Sequence, residues 1–154
     1  MLKVHIREYV KYPNGIIYPT KTGICLSPSH FATLLHFKDA ICQEIGKNGM
    51  NATFKFHLGS GIFVSSSAGY HLIHIRRHFL PEGVMYDVPT KKGIALRMKE
   101  WYAIVHQLEG IKQRSMEIAQ AVPCFVNHTD VEFALGCQEC NPFGLPLLTL
   151  SSLL

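Results

Sequence analysis

The segment PTKTGICLSP, residues 19–28, returns as PTKKGIALRM at residues 89–98. Working outward, VHIREYVKYPNGIIY (4–18) precedes the first copy and IHIRRHFLPEGVMY (73–86) precedes the second. The same irregular stretch therefore stands twice in a chain of 154 residues. Whether the second copy is a spare or a partner decides how the fold is read.

Residues 3–10 alternate, with Val4, Ile6 and Glu8 on one side and His5, Arg7 and Tyr9 on the other, which predicts a strand of period two. YPNG at 12–15 predicts a tight turn, because Pro pre-sets φ and Asn-Gly accepts positive φ. IIYPTKTGICL is the return strand, with interruptions expected near Pro19 and Gly23. A helix begins at Ser27, an N-cap residue, with Pro28 in the first turn. Its apolar face is Phe31, Leu34, Leu35, Ile41, Cys42 and Ile45, and Gly46 is the expected stop. KNGMN (47–51) reads as a linker.

The second unit has a longer front. NATFKFHLG and GIFVSSSAG predict two strands joined at Gly59-Ser60-Gly61. YHLIHIRRHF predicts a third, PEG a turn, and VMYDVPTKKGIAL a fourth. A helix follows from about Arg97, with Trp101, Ile104, Val105, Leu108 and Ile111 on one face, aligned with Phe31, Leu34, Leu35, Lys38 and Ile41. The expected organisation is α+β: an incomplete unit over 1–47 with two strands and a helix, a complete one over 54–115 with four strands and a helix, and a Cys-containing tail over 121–154. The tail is expected to be ordered only if something holds it, and its apolar end, FGLPLLTLSSLL, suits docking on a sheet face or a partner.

Composition sets outer bounds. An apolar content of 47% with 17% charged residues describes a globular chain. No run of eighteen apolar residues is present, so no transmembrane helix is expected, and MLKVHIREY lacks the apolar core of a signal peptide. Five cysteines, an odd number, then point to reduced thiols and an intracellular protein. The net charge of +4 permits a nucleic-acid partner without announcing one.

An Ile-Arg strand, a Pro-x-Gly turn, a Lys-Gly-Ile-x-Leu strand and a helix with an aromatic anchor, in that order and twice over, resemble the C-terminal domain of the positive-cofactor-four type transcriptional coactivators. The resemblance covers residues 3 to 46 and 54 to 112. It implies a curved antiparallel sheet followed by one helix per unit, with two units pairing through helices and sheets. Here the two would form an intramolecular pseudo-dimer, in which the second copy is the partner of the first. A unit of about sixty residues is in any case too small to bury its helix face alone. The resemblance further implies a nuclear protein that binds single-stranded DNA and proteins of the transcription machinery. Arg7 and Arg76 of the Ile-Arg strands, Phe79, and Lys21, Lys91 and Lys92 of the Lys-Gly-Ile segments would face the nucleic acid, with Tyr70 able to stack.

The departures matter as much. The family's basic, aromatic second strand reads FVSSSAGYH here, with no Lys or Arg between Lys55 and Arg76. Val10 stands where Phe79 stands in the second unit, Thr22 where Lys92 stands, and the first unit lacks the two front strands. A protein-interaction scaffold that kept the dimer core and lost most DNA binding is therefore the alternative. Two chains associating as a homodimer would also complete the defective half. No nucleophile sits beside a His with an orienting carboxylate, and no phosphate-cradling glycine loop is present, so no enzyme is expected.

Two further clusters carry chemistry. His71, His74 and His78 fall in one predicted strand and read as surface histidines rather than a metal site. In the tail, Cys124, His128, Cys137 and Cys140 have spacings compatible with tetrahedral zinc. No other cofactor is expected.

Overall fold

The two repeated segments become matching strands. β1 (Val4–Lys11) and β2 (Ile17–Leu26) form a two-stranded antiparallel sheet. β3 (Phe54–Gly59), β4 (Ile62–Ser66), β5 (Leu72–Phe79) and β6 (Val88–Arg97) form a four-stranded antiparallel sheet in chain order. β2 runs into helix α1 (Pro28–Asn48) and β6 into α2 (Met98–Lys112). The chain is α+β, as its sequence predicts. The computed structural model describes residues 1–144; the apolar end from residue 145, read above as a docking segment, lies outside the described residues.

The two hairpins share one irregular register. In the first, Ile6 pairs with Ile24 and Arg7 with Gly23, the register shifts, and Tyr9 pairs with Pro19. In the other, Ile75 pairs with Ile94 and Arg76 with Gly93, the register shifts, and His78 pairs with Pro89. This bulge breaks the alternation expected for 3–10: Val4 and Ile6 turn inward, but Glu8 is exposed. The extra residues sit on β2, where Thr20–Thr22 stand opposite Glu8 alone, so the interruption expected near Pro19 and Gly23 is this bulge.

Both glycines of the bulge are required by close approach. A Cβ at Gly93 would lie 2.6 Å from Ile75 O and 2.7 Å from Arg76 Cα; at Gly23 it would lie 2.7 Å from Ile6 O. These are backbone atoms that cannot swing away. Gly93→Ala should therefore cost about 1–3 kcal/mol of stability by overpacking. Gly46→Ala, with nothing within 4 Å and helical backbone on both sides, should gain up to about 1 kcal/mol. Urea midpoints of the two variants on either side of the parent would bear this out; equal midpoints would show that the strands can part around a methyl.

Gly46 does not end α1. The helix continues to Asn48 and is capped by Gly49, whose φ of 53° makes it the first residue to leave the helical region, with its N–H donating to Ile45 O. At the other end Ser27 Oγ accepts from His30 N–H at 3.2 Å, while Ser27 N–H donates to His30 Nδ1 at 3.2 Å. In α2 Glu100 Oε1 accepts from Arg97 N–H at 3.0 Å. The predicted linker holds a single 3-10 turn, Gly49–Asn51.

One hydrophobic cluster joins both sheets and both helices, from Val4, Ile24 and Leu26 through Phe31, Leu34 and Ile41 to Val64, Ile73, Ile75, Trp101 and Leu108. The helices contribute unequally. α1 lies along β3, where Phe37 stacks on Phe56 with ring centroids 4.8 Å apart, and it buries eight residues. α2 lies over β5 and β6 and buries only Trp101 and Leu108. The first hairpin has no front strands to offer α2 what β3 offers α1. β2 lies beside β6, and Lys38 Nζ reaches Glu109 Oε1 at 3.7 Å between the helices.

Beyond α2 the chain forms α3 (Met116–Ala119), a 3-10 turn over Cys124–Asn127, and α4 (Val131–Gly136). This tail is held. Glu139 accepts a hydrogen bond from His30 of α1 at 2.9 Å, and its carbonyl accepts from Ser60 N–H in the β3–β4 turn at 2.8 Å.

Candidate nucleic-acid face and metal centre

Arg7 and Arg76 sit at the same place in the two bulges, with the same partner. Arg7 Nη1 donates to Thr20 O at 2.7 Å and Arg76 Nη1 to Thr90 O at 3.0 Å. The threonines repeat as well: Thr20 Oγ1 donates to Glu8 O and Thr90 Oγ1 to Arg77 O, and each accepts from the N–H two residues on, that of Thr22 or Lys92. A guanidinium carries five N–H donors, and a single bond to a carbonyl leaves most of them for another acceptor. Each arginine is thus both a brace for the bulge and a cation held at its mouth.

Around these braces the cations are exposed. Lys21, Lys91 and Lys92 are exposed and pair with no carboxylate among the described residues. Phe79 is 49% exposed and Tyr70, in the β4–β5 turn, 72%. Sequence reasoning missed the aromatics of the first hairpin: Tyr9, Tyr12 and Tyr18 are all exposed, with Tyr12 edge-on to Tyr18 at 5.2 Å. Three tyrosines within ten positions were the signal. Tyr86, beside the second hairpin, is exposed as well.

The open face of the large sheet is different. The register brings Lys55, His57, Phe63, Ser65, His74 and Arg76 onto the side opposite the core. Lys55 Nζ lies 4.4 Å above the Phe63 ring and holds Asp87 at 2.6 and 2.8 Å. Asp87, from the β5–β6 connection, also takes His78 Nδ1 at 2.7 Å. His78 is buried, and its Nε2 has no partner among the described residues. Burial brings the His78 pKa below its ordinary value, against the pull of Asp87. Asp87 is lowered too: burial alone would raise it, but Lys55 and then His78 outweigh that. The ring of His57 lies 4.7 Å from Phe63 with Nε2 accepting from Gly61 N–H at 3.0 Å, and burial pushes its pKa down to about 4.

The three histidines read as one strand's surface group separate here. His71 precedes β5 with φ 54° and is exposed, His74 is half-buried on the open face, and His78 is a buried ion-pair partner. His78 keeps to the side of Arg76 and is buried there beneath the Phe63 ring, 4.8 Å away, and Asp87.

In the tail, Cys124, His128, Cys137 and Cys140 come together with their ligand atoms all within 4.8 Å of one another. Cys124 Sγ lies 3.7 Å from His128 Nε2 and 3.7 Å from Cys137 Sγ, and His128 Nε2 lies 3.0 Å from Cys140 Sγ. Burial and the neighbouring sulfurs push the Cys124 and Cys140 thiols up. At Cys137 burial also raises the pKa, but the N–H groups of Cys140 and Glu139 outweigh it and bring the thiol down. This set of donors could hold a thiophilic metal.

Residues 1–37, which are β1, β2 and the first turns of α1, match the family described as Transcriptional Coactivator p15 (PC4), consistent with a domain of that type. No curated protein and no solved structure matches the chain.

Proposed function

We propose that this chain is a transcriptional-coactivator type protein of the nucleus that binds single-stranded DNA through its two bulged hairpins, paired as an intramolecular pseudo-dimer. The observation that carries this reading is the duplicated brace, an arginine at the mouth of each bulge among unpaired lysines and exposed aromatic rings. Sequence-tolerant single-strand binding needs that combination: cations track phosphates, and rings stack bases for about 1–3 kcal/mol each. The family match over the first hairpin supports the coactivator class, and the single core shared by α1 and α2 supports the pairing. Units over 1–47 and 54–115, and binding to proteins of the transcription machinery, belong to the same reading.

The test is a titration of labelled single-stranded oligonucleotide at low and moderate salt. Binding should weaken steeply with salt. Arg7→Ala with Arg76→Ala should lower the salt slope by about two, because each arginine neutralises one phosphate. Since each arginine also braces its bulge, the triple replacement of exposed Lys21, Lys91 and Lys92 by alanine serves as an independent variant and should act in the same direction. No binding at low salt would end this reading.

A protein-interaction scaffold is the second reading, favoured by Asp87. It occupies Lys55 and His78 on the open face of the large sheet, and apolar residues at the hairpin ends, Val10, Ile16, Ile17 and Met85, are exposed. On the DNA-binding reading, Asp87→Asn should tighten oligonucleotide binding several-fold by releasing Lys55. On the scaffold reading it should change nothing.

A further inference from the structure

We infer that Cys124, His128, Cys137 and Cys140 hold a zinc ion, and that this centre is a clip which fastens the first helix to the front of the large sheet. The donor set is the first ground. Three thiols and one imidazole, all from protein and leaving no open position, are the ligands of a structural zinc site rather than a catalytic one. A tetrahedral ion with Zn–S bonds of about 2.3 Å puts its ligand atoms about 3.6–3.8 Å apart; Cys124 Sγ stands 3.7 Å from both His128 Nε2 and Cys137 Sγ, on that edge, and His128 Nε2 stands closer to Cys140 Sγ, at 3.0 Å. The chain's two remaining cysteines, Cys25 and Cys42, lie elsewhere, in β2 and α1, so the clustering selects the tail.

The second ground is what the Cys-x-x-Cys turn carries. Asn141 N–H donates to Cys137 O at 2.8 Å, closing a tight knuckle, and the residue at its tip is Glu139. Its side chain meets His30 in the first turn of α1, and its carbonyl meets Ser60 between β3 and β4. His30 is set for this contact by the helix cap: Ser27 N–H occupies Nδ1, which places the ring proton on Nε2, aimed at Glu139. The seat is cut to fit, because a side chain at Gly59 would strike Glu139 Oε2 at 2.7 Å and His30 Cδ2 at 2.8 Å. Phe143 covers Gly61 on one flank, and Phe125 of the Cys124–Asn127 turn packs against His36 and Phe37 of α1 on the other. The short turns of the tail bury too little to hold this shape themselves, so the metal supplies the folding energy, as in other small metal-dependent modules.

The experiment uses the full chain, purified under reducing conditions without chelator and also reconstituted with zinc chloride. One equivalent of zinc per chain is expected, and cobalt(II) in its place should give the intense visible bands of tetrahedral thiolate coordination. Cys137→Ser with Cys140→Ser should abolish both. Glu139→Ala, which keeps all four ligands, should retain the zinc. Wild-type protein that remains folded and takes up neither metal would overturn the assignment, as would a double variant that still binds stoichiometrically. Should the double variant not fold, the cobalt spectrum of the parent decides. The clip is read by hydrogen exchange: stripping zinc from the parent should speed exchange at the Ser60 amide and in the first turn of α1 at least tenfold. Unchanged exchange at both places after zinc removal would overturn the clip.

Discussion

Replacing Trp101 with alanine is expected to lower the unfolding free energy by about 3–5 kcal/mol, a large part of what a domain of this size possesses. Trp101 is fully buried in the cluster that joins both sheets and both helices. It is also one of only two buried residues on α2, so deleting it leaves that helix anchored by Leu108 and by half-buried neighbours. The indole N–H has no partner among the described residues. Trp101→Phe should therefore remove a stranded donor along with some volume and cost much less than the alanine change. The aligned residue in the first unit, Phe31, is likewise fully buried. Because the core is a single cluster, Trp101→Ala and Phe31→Ala should each unfold in one transition by circular dichroism and by fluorescence at the aromatic rings. Two separate transitions in either variant would show that the units hold together independently and would undercut the shared core.

The repeated segments made most of this architecture readable. Val4, Ile6, Ile73 and Ile75 alternate inward, Ser27 and Pro28 mark a helix start, and YPNG marks a hairpin, each through local chemistry that needs no distant partner. The bulge was readable only as an interruption near Pro19 and Gly23. Its cause is a steric demand between Gly93 and the Ile75–Arg76 backbone across the hairpin, and the sequence shows only an Arg and a Gly. The end of α1 was misplaced because Gly46 and Gly49 are equally good stops in isolation, and tertiary burial of Ile45 carries the helix past the first.

The candidate sites follow the same division. Arg7, Arg76 and the lysines are visible as a pattern within each repeat. The four Cys and His ligands are visible as a spacing, although their convergence is a fact of folding. Asp87 over Lys55, 32 positions apart, and Glu139 against His30, 109 positions apart, have no signature in the sequence. Those two long-range carboxylates bear most on function: one covers a face that would otherwise attract phosphate, and the other gives the tail its place.

Acidification should expose a second large effect, centred on His57. Its pKa falls from 6.5 to about 4, chiefly because burial disfavours the charged ring. The unfolded chain therefore takes up a proton near pH 6.5 that the folded chain refuses until about pH 4. Stability from this group is fully present above pH 6.5 and is lost as the pH falls through that window, by about 3 kcal/mol in total. Burial lowers His74 and His78 as well, so they act in the same direction. Asp87 and Glu139, also lowered, contribute stability that is present above the ordinary carboxylate range and is lost only as the pH falls through it, because the unfolded chain then takes up protons that the folded chain refuses. The histidine loss thus comes first and can be separated. Urea unfolding at pH 7.5, 6.5, 5.5 and 4.8 should show a falling midpoint in the parent, while His57→Gln, which keeps an acceptor for the Gly61 N–H, should show a clearly flatter decline. A parent midpoint that stays level from pH 7.5 to 4.8 would mean that the protonated ring is accommodated beside Phe63, and that the open face of the sheet is wetter than its packing implies.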